Sequence, residues 1–501
     1  MMPSPDTFLP LKQVKQLLVA VCLMLPSLLI PTGNSHEWGD DYAQYIHQGI
    51  NISRGIAQTD CGYIFHPDNA MLGPHAYPPG FPLMLAGVFE LYGNYTSDFV
   101  FFMFLLTLMT AVLAYLYFRQ FFSHLTALAL MLFLFYNPWV MNFRNEVMAD
   151  IPFTLLLLLF LLLWPFCKKW WHFLLAGLLA GFTISVKEVG WALCIAAMHS
   201  IFIQRVNAPF DGIKSKGKWV RGLVFLLSTL AVWYIIEIWL FHIPRPYDEN
   251  FVSLHILRNV MDNLDYYPKV LQTFFYNDSG EFNFIPTFFA PLAFAFVVMG
   301  LYRSFVKGLG LKEWLVMIYF AVLVIYPYHS SGFRFLLPIA TVLMIYMAEG
   351  LKAFQPLQKW SLVYKFYLFI VLVGLQYSLS YSQILYYSDK VRSGPQEPLA
   401  VQMFEFMKQG LPENSRVVFA KPRALALYTP FSALALHPNS SPHLTDSLLR
   451  SYDIHYALLC SDLVDNALRD YLMLYPQRVQ KIRTNAKFEL YEIIKIDPIQ
   501  N

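Results

Sequence analysis

The sequence predicts an all-α polytopic membrane protein of about eleven transmembrane helices, followed by a small extracytoplasmic α/β domain. Three observations predict it. Of the 501 residues, 57% are hydrophobic and only 14% charged, too apolar for an ordinary soluble chain. The apolar runs are continuous rather than alternating, and several reach the ~20 residues that cross a ~30 Å hydrocarbon core, where helices satisfy the backbone internally. Beyond residue 385 the runs shorten, and Pro, Gly, Asn and charged residues return after Ser393-Gly394-Pro395.

The spans are placed near 11–31, 97–118, 122–141, 151–166, 173–187, 189–204, 222–243, 284–302, 313–330, 333–350 and 361–381. The first reads as a retained anchor rather than a signal peptide. Its apolar stretch is long, Pro26 interrupts it, and no small-residue cleavage pattern precedes Pro31-Thr32-Gly33. Short-loop cations set the orientation. Lys12, Lys15, Arg119, Lys168, Lys169, the 205–221 loop, the 303–312 loop and the 352–365 loop fall on one side, the expected cytoplasm. The opposite loops carry fewer, chiefly Arg54, Arg144, Lys187, Arg245, Arg258, Lys269 and Arg334. The N-terminus is then cytoplasmic and the C-terminus outside, as in a bacterial inner membrane. The net charge of +3 reflects topology and offers no nucleic-acid footprint.

The expected domains are a membrane domain over 1–384, with outer loops 32–96 and 244–283, and a soluble domain over 385–501. In the latter, strands are expected at 416–420, 456–459 and 488–494, and helices at 447–451 and 462–475. It has no nucleotide-binding glycine pattern, nucleophile elbow or clustered His, so docking or structure suits it better than a second active site. Cys22, Cys167 and Cys194 fall in spans as structural thiols; Cys61 and Cys460 lie outside, where pairing is open. No metal-type spacing is present.

Most of the polar chemistry of the membrane half lies in the first outer loop. Asp40 and Asp41 stand side by side in Gly39-Asp40-Asp41-Tyr42-Ala43-Gln44-Tyr45-Ile46, just past the first span. His75 and Tyr77 introduce a proline-broken turn, Tyr77-Pro78-Pro79-Gly80-Phe81-Pro82, leading into an apolar stretch at 83–92 too short to cross and suited to the interface. Glu146 and Asp150 lie four apart, hence on one helix face, where they orient an acceptor, coordinate a divalent cation or simply form a solvated interface. Lys187 and Arg334 stand at the outer ends of spans, as phosphate ligands or as residues snorkelling to headgroups. Asp40 and Asp41 also suit a solvated loop start or a helix N-cap. Trp139, Trp170, Trp171 and the 326–328 tyrosines fit an interfacial belt; Tyr266, Tyr267 and 274–276 pack on sugar or on lipid. The basic loop 214–221 serves topology or anionic headgroups.

The order of these motifs resembles the GT-C glycosyltransferases, in particular the group that includes protein O-mannosyltransferases and lipid A aminoarabinose transferases. The matching segments are GDDYAQYI at 39–46, YPPGFPLMLAG at 77–87, NEVMADIPF at 145–153, VKEVG at 186–190 and RFLLPI at 334–339. Relatives usually carry Asp-Glu with a Tyr four residues after the Asp. Here Asp41 has that spacing to Tyr45 and is preceded by Asp40, which makes Asp41 the first candidate and Asp40 the second.

The resemblance implies an all-helical GT-C membrane domain and transfer of a sugar from a polyprenyl-monophosphate donor to a lipid, glycan or protein acceptor. It implies Asp41 as general base in an inverting displacement, and Arg334 and Lys187, helped by His75 and Tyr77, as ligands of the donor phosphate. It implies no certain cofactor; a divalent cation is one reading of Glu146 and Asp150. Two rivals have other signatures. A transporter calls for internal repeats and mid-span charges, neither of which is evident. A non-catalytic protein that binds lipid-linked sugar is distinguished only by activity.

Overall fold

The computed structural model describes residues 11–30, 36–66, 69, 72–93, 96–203, 215–242, 256–274, 284–327, 332–354, scattered positions from 361 to 381, and 393–494. The expected span at 361–381 is described at 13 of its 21 positions, helical at all of these but the first, while 204–214, Arg245, Phe275, Tyr276 and Tyr328 lie outside the described residues. The chain divides into two compact units, one drawn from 1–32, 100–240 and 249–388, the other from 33–99, 241–248 and 389–501.

The first unit is helical. Its elements are α1 (Leu11–Met24), most of α4 (Thr96–Arg119), α5 (His124–Phe135), α6 (Pro138–Phe143), α7 (Asp150–Leu163), α8 (Trp170–Val186), α9 (Trp191–Ile203), α10 (Ser215–Trp233), α11 (Ile256–Thr273), α12 (Phe284–Lys307), α13 (Leu311–Ile325) and α14 (Leu337–Ala353). Each expected span up to 333–350 meets one of these. Among the described residues four helices are long and apolar enough to cross a membrane, within 98–119, 217–240, 290–307 and 332–353; the other apolar helices are shorter. Small residues set the close crossings: a Cβ on Gly177 or Gly181 of α8 would collide with α10, and one on Gly300 or Gly350 would collide across the α12–α14 contact. Helix α7 is buried over nearly all its length, so its N-terminal Asp150 is held at a fixed point. Tyr267 and Phe274, offered as sugar-stacking groups, are buried in this core, where Phe274 packs on Phe133 and Phe333.

The second unit joins the segment 33–99 to the C-terminal residues. Its helices α2 (Asp41–Ser53) and α3 (Gly80–Tyr92) cross at Gly49, whose missing side chain lets Leu85 and the Pro82 carbonyl approach. The C-terminal part adds α15 (Pro398–Gly410), β1 (Arg416–Val418), α16 (Pro422–Tyr428), β2 (Ser432–Leu434), α17 (Pro442–Ser451), β3 (Tyr456–Cys460), α18 (Asn466–Leu474), β4 (Val479–Thr484) and β5 (Phe488–Ile493). The sheet order is β2-β1-β3-β5-β4, with β1 parallel to β2 and β3, and β5 antiparallel to β3 and β4.

Strand β3 reads Tyr-Ala-Leu-Leu-Cys and is buried at every position, as a central strand covered on both faces must be. Alternate residues feed two cores: Val417, Leu458 and Leu490 one side, Val418, Ala457 and Leu459 the other. The sequence places segment 32–96 as an outer loop of the membrane domain. The structure groups 33–99 with 389–501, for two physical reasons. Trp38 is buried in the first sheet core, with its ring against Phe404, Phe419 and Phe488. Tyr63 extends the sheet by a parallel bridge to Ala433, through Ala433 N–H to Gly62 O and Ile64 N–H to Ala433 O, both 2.8 Å. Cys61 and Cys460 are separate buried free thiols, and burial pushes the Cys61 thiol up to about 12.

Candidate active site

Helix α2 presents Asp41, Gln44, Tyr45 and Gln48 on one face, the i, i+3, i+4, i+7 pattern. That face holds the Pro-Pro segment. Gln44 Nε2 donates to the His75 carbonyl at 2.7 Å, Gln48 exchanges two hydrogen bonds with the Tyr77 backbone, and Gln58 Nε2 donates to the Tyr77 carbonyl at 2.7 Å. The Tyr45 ring stacks on Tyr77 with centroids 4.4 Å apart and meets Phe81 edge-on. Pinned at both backbone and ring, Tyr77 donates its hydroxyl to Asp41 Oδ1 at 2.6 Å. The Tyr four residues after the Asp thus acts by fixing a second tyrosine against the carboxylate.

Arg423, the second residue of α16, completes this cluster from far along the chain. Its side chain is fully buried, with Nη1 3.1 Å from the Tyr77 hydroxyl and 3.4 Å from Asp41 Oδ1, and Nη2 donating to the Pro74 carbonyl at 2.7 Å. The guanidinium also faces the Tyr63 and Tyr77 rings, 4.6 and 5.2 Å from their centroids. Gly73, at φ +107°, leaves the room that Arg423 and the Tyr77 hydroxyl occupy. Burial opposes the charge on Arg423, but Tyr77, Asp40, Tyr63 and Asp41 around it outweigh burial and hold its pKa above the ordinary arginine value.

The adjacent carboxylates have different surroundings. Asp40 is at the N-cap position of α2 but makes no cap bond to its own helix. Its Oδ1 accepts from Ala424 N at 3.1 Å, capping α16 instead, and Oδ2 stands 4.0 Å from Arg423 Nε. Burial raises the Asp40 pKa, only partly offset by Arg423, Lys421 and the Ala424 bond. Asp41 keeps 26% of its side chain exposed against 6% for Asp40. Of the pair, Asp41 is therefore the one an external group can reach. His75 is half-buried, and burial, aided by Arg423, lowers its pKa.

In the first unit the sequence-predicted ions gather around Asp150, whose side chain is 1% exposed. Lys187, the capping residue just after α8, pairs with Oδ1. Arg334, in the single turn Gly332–Leu336 before α14, donates Nε to Oδ2 at 2.8 Å. Phe335 packs beneath both cations, 4.8 Å from Lys187 Nζ and 5.7 Å from Arg334 Cζ. Its carbonyl accepts from the Tyr319 hydroxyl at 2.9 Å, which fixes the turn. Two cations thus share the one buried carboxylate. These contacts turn Lys187 and Arg334 inward, away from the snorkelling arrangement that span ends usually favour.

One expectation changes. Glu146 and Asp150 do not share a helix face, because α7 begins at Asp150 and Glu146 lies in the bend before it. Tyr77 is bonded to Asp41 in the second unit, while Arg334 and Lys187 belong with Asp150 in the first. No group of three His, Cys, Asp or Glu placed to hold a metal occurs among the described residues. Sequence reasoning missed Arg423, which lies 382 residues from Asp41; its only local mark is a Lys-Pro-Arg run opening a short helix.

Comparison with known proteins agrees with this architecture. Residues 76–235 match the family model of dolichyl-phosphate-mannose-protein mannosyltransferase, a stretch that holds the Pro-Pro segment, Asp150 and Lys187. No curated protein matches the chain. Among solved structures, the oligosaccharyltransferase AglB from Archaeoglobus fulgidus, in complex with an inhibitory peptide and a dolichol-phosphate, is similar at 13% identity and a TM-score of 0.55, over 90% of this chain and 69% of that one. The same archaeal enzyme tethered to an acceptor peptide gives 12%, 0.55, 91% and 70%. ArnT from Cupriavidus metallidurans bound to undecaprenyl phosphate is similar at 13% and a TM-score of 0.53, over 97% of this chain and 98% of that one. The resemblance carried by the five motifs thus has a structural counterpart: this chain has apolar helices and a fold similar to that of the GT-C membrane enzymes.

Proposed function

We propose that the protein transfers a sugar from a polyprenyl-monophosphate donor to an extracytoplasmic acceptor, with inversion at the anomeric carbon. The observation that carries this reading is Asp41, a partly exposed carboxylate held by Tyr77 and Arg423 on a helix whose own residues pin the Pro-Pro segment. The acceptor hydroxyl oxygen forms the new bond to the anomeric carbon as the bond from that carbon to the phosphate oxygen breaks. The electron pair leaves with polyprenyl phosphate, and the hydroxyl proton goes to Asp41. Because Tyr77 and Arg423 already fix Asp41, little reorganisation accompanies attack. Arg334 and Lys187 are assigned to the departing phosphate: a planar guanidinium and an ammonium, oriented by Asp150 and Phe335, supply fixed positive charge where negative charge grows.

The reading extends to about eleven spans, a cytoplasmic N-terminus and an extracytoplasmic C-terminal region, in keeping with the loop cations. The similar structures support the donor class, since ArnT is bound to undecaprenyl phosphate and AglB to a dolichol-phosphate and an inhibitory peptide. Assay of labelled-sugar transfer in membranes supplied with polyprenyl-phosphate donors tests it. Asp41→Asn should lose about 10²- to 10⁴-fold at matched expression. Equal labelling by the variant removes Asp41 as base; no labelling with any donor favours a carrier or binding protein.

A further inference from the structure

A second group of cations in the first unit plays no part in the proposed transfer. Helix α8 opens with Trp170 and Trp171 directly after Lys168 and Lys169, and α10 opens at Ser215. The two helices touch at Gly177 and Gly181, so their amino ends lie side by side. Between those ends is an open cleft of about 500 Å³, lined by Lys168, Lys169, Trp170, Trp171, Val220 and Arg221.

Every charge in this lining is positive, and none of the three cations makes an ion pair with a described residue. The Arg221 guanidinium lies over the Phe173 ring at 5.9 Å, and its Nη1 is buried without a hydrogen-bond partner. A buried donor left unmade is costly, so a cleft wall holding one suits an acceptor of opposite charge. The backbone N–H groups of Lys168 and Lys169 both donate to His172 Nδ1, which fixes the turn that carries the two lysines.

The same end of α10 marks where hydrocarbon begins. Residues 217–240 are long and apolar enough to cross a membrane, and only 22% of an 18-residue apolar stretch within them is buried in protein. Val220, Leu223 and Leu227 face outward along it, while Trp219 at its start, like Trp170 and Trp171, is exposed. Tryptophans clustered at the end of an outward-facing apolar helix sit at headgroup depth, which puts the cleft level with lipid phosphates.

We propose that this cleft is a binding site for the phosphodiester headgroup of an anionic phospholipid. Arg221, Lys168 and Lys169 contact its phosphate, and Trp170 and Trp171 rest on its glycerol and upper acyl chains. The site is separate from the transfer chemistry, and its test does not depend on that reading. The purified full chain in phosphatidylcholine nanodiscs would be titrated with phosphatidylglycerol, and in parallel with inorganic phosphate. Readouts are Tm and lipid adducts in native mass spectrometry.

Phosphatidylglycerol should raise Tm and remain bound as a discrete adduct. Both Arg221→Gln and the double variant Lys168→Gln/Lys169→Gln should weaken it about tenfold or more. The lysine pair lies at the cleft rim, so that variant keeps the test open if Arg221→Gln fails to fold. Equal retention of phosphatidylcholine, equal affinity in the variants, or an equal Tm rise with inorganic phosphate alone would each overturn the lipid assignment.

Discussion

Each unit holds a carboxylate between cationic and aromatic partners, but the stoichiometry is reversed. In the first, Lys187 and Arg334 converge on Asp150, which spends one oxygen on each and is almost wholly buried. In the second, Arg423 serves both Asp40 and Asp41, and Asp41 stays partly open. A carboxylate saturated by two cations is a structural anion that arranges positive charge. A carboxylate that shares one cation and keeps an exposed edge retains the means to accept a proton. On the proposed reading, the difference teaches that charge balance and exposure, more than residue type, separate an orienting acid from a reacting one.

The sharpest way to break the contrast is Arg423→Met. Arg423 is fully buried, bonded to Tyr77 and Pro74, close to both acids and stacked on two rings. Breaking such a pair by removing one partner costs about 3–5 kcal/mol. Chemical or thermal unfolding should register that loss, and transfer should fall as well because Asp41 and Tyr77 lose their common anchor. Arg423→Lys should recover part of the stability but little of the geometry, since an ammonium cannot reach Tyr77, Asp41 and the Pro74 carbonyl at once. Wild-type stability in Arg423→Met would show that the cluster is held by the α2 face alone.

A smaller effect is expected from Asp150→Asn. The amide keeps the shape but turns an N–H₂ toward one cation, losing charged hydrogen bonds that contribute about 1.5–3 kcal/mol each. Lys187 and Arg334 are partly exposed, so water relieves some of their repulsion. The expected outcome is a modest loss of Tm with a raised KM for the lipid-linked donor. A loss of kcat as severe as that of Asp41→Asn, with Tm unchanged, would instead make Asp150 a reacting acid and erase the contrast between the units.

The helical class was legible because uninterrupted apolar runs leave few alternatives, and the expected spans up to 333–350 meet helices. Asp150, Lys187 and Arg334 were each legible as charges at span ends, yet nothing in their local spacing announced that they pair. Helix α17 begins at Pro442, earlier than the expected 447, because Ser441 caps Leu444 N and Pro442 fits the first turn. Strand β2, Ser432–Leu434, is too short for periodicity to reveal. The union of 33–99 with the C-terminal residues rests on Trp38 and the Tyr63 bridge, both contacts across hundreds of residues. Arg423 was hidden for the same reason: long-range pairing leaves no mark in a local window.

The mildest substitution, Asp40→Asn, separates the two neighbours most finely. Asparagine keeps an oxygen for Ala424 N, and the 4.0 Å approach to Arg423 Nε is the weakest contact in the cluster. Transfer should stay within about tenfold of wild type, well above Asp41→Asn, because the proposed mechanism routes no reacting proton through Asp40. Its influence should appear instead in how stability responds to pH. Burial raises the Asp40 pKa in the folded chain, so the folded state keeps a proton that the unfolded state has already released. The resulting stabilisation is complete below the ordinary aspartate value of about 4 and fades as pH rises through the raised folded value. Asparagine cannot titrate, so the variant should lack that decline and gain on wild type as pH increases, read as Tm in a pH series on both proteins. Parallel curves would assign the pH response to another group and leave Asp40 as a neutral cap for α16.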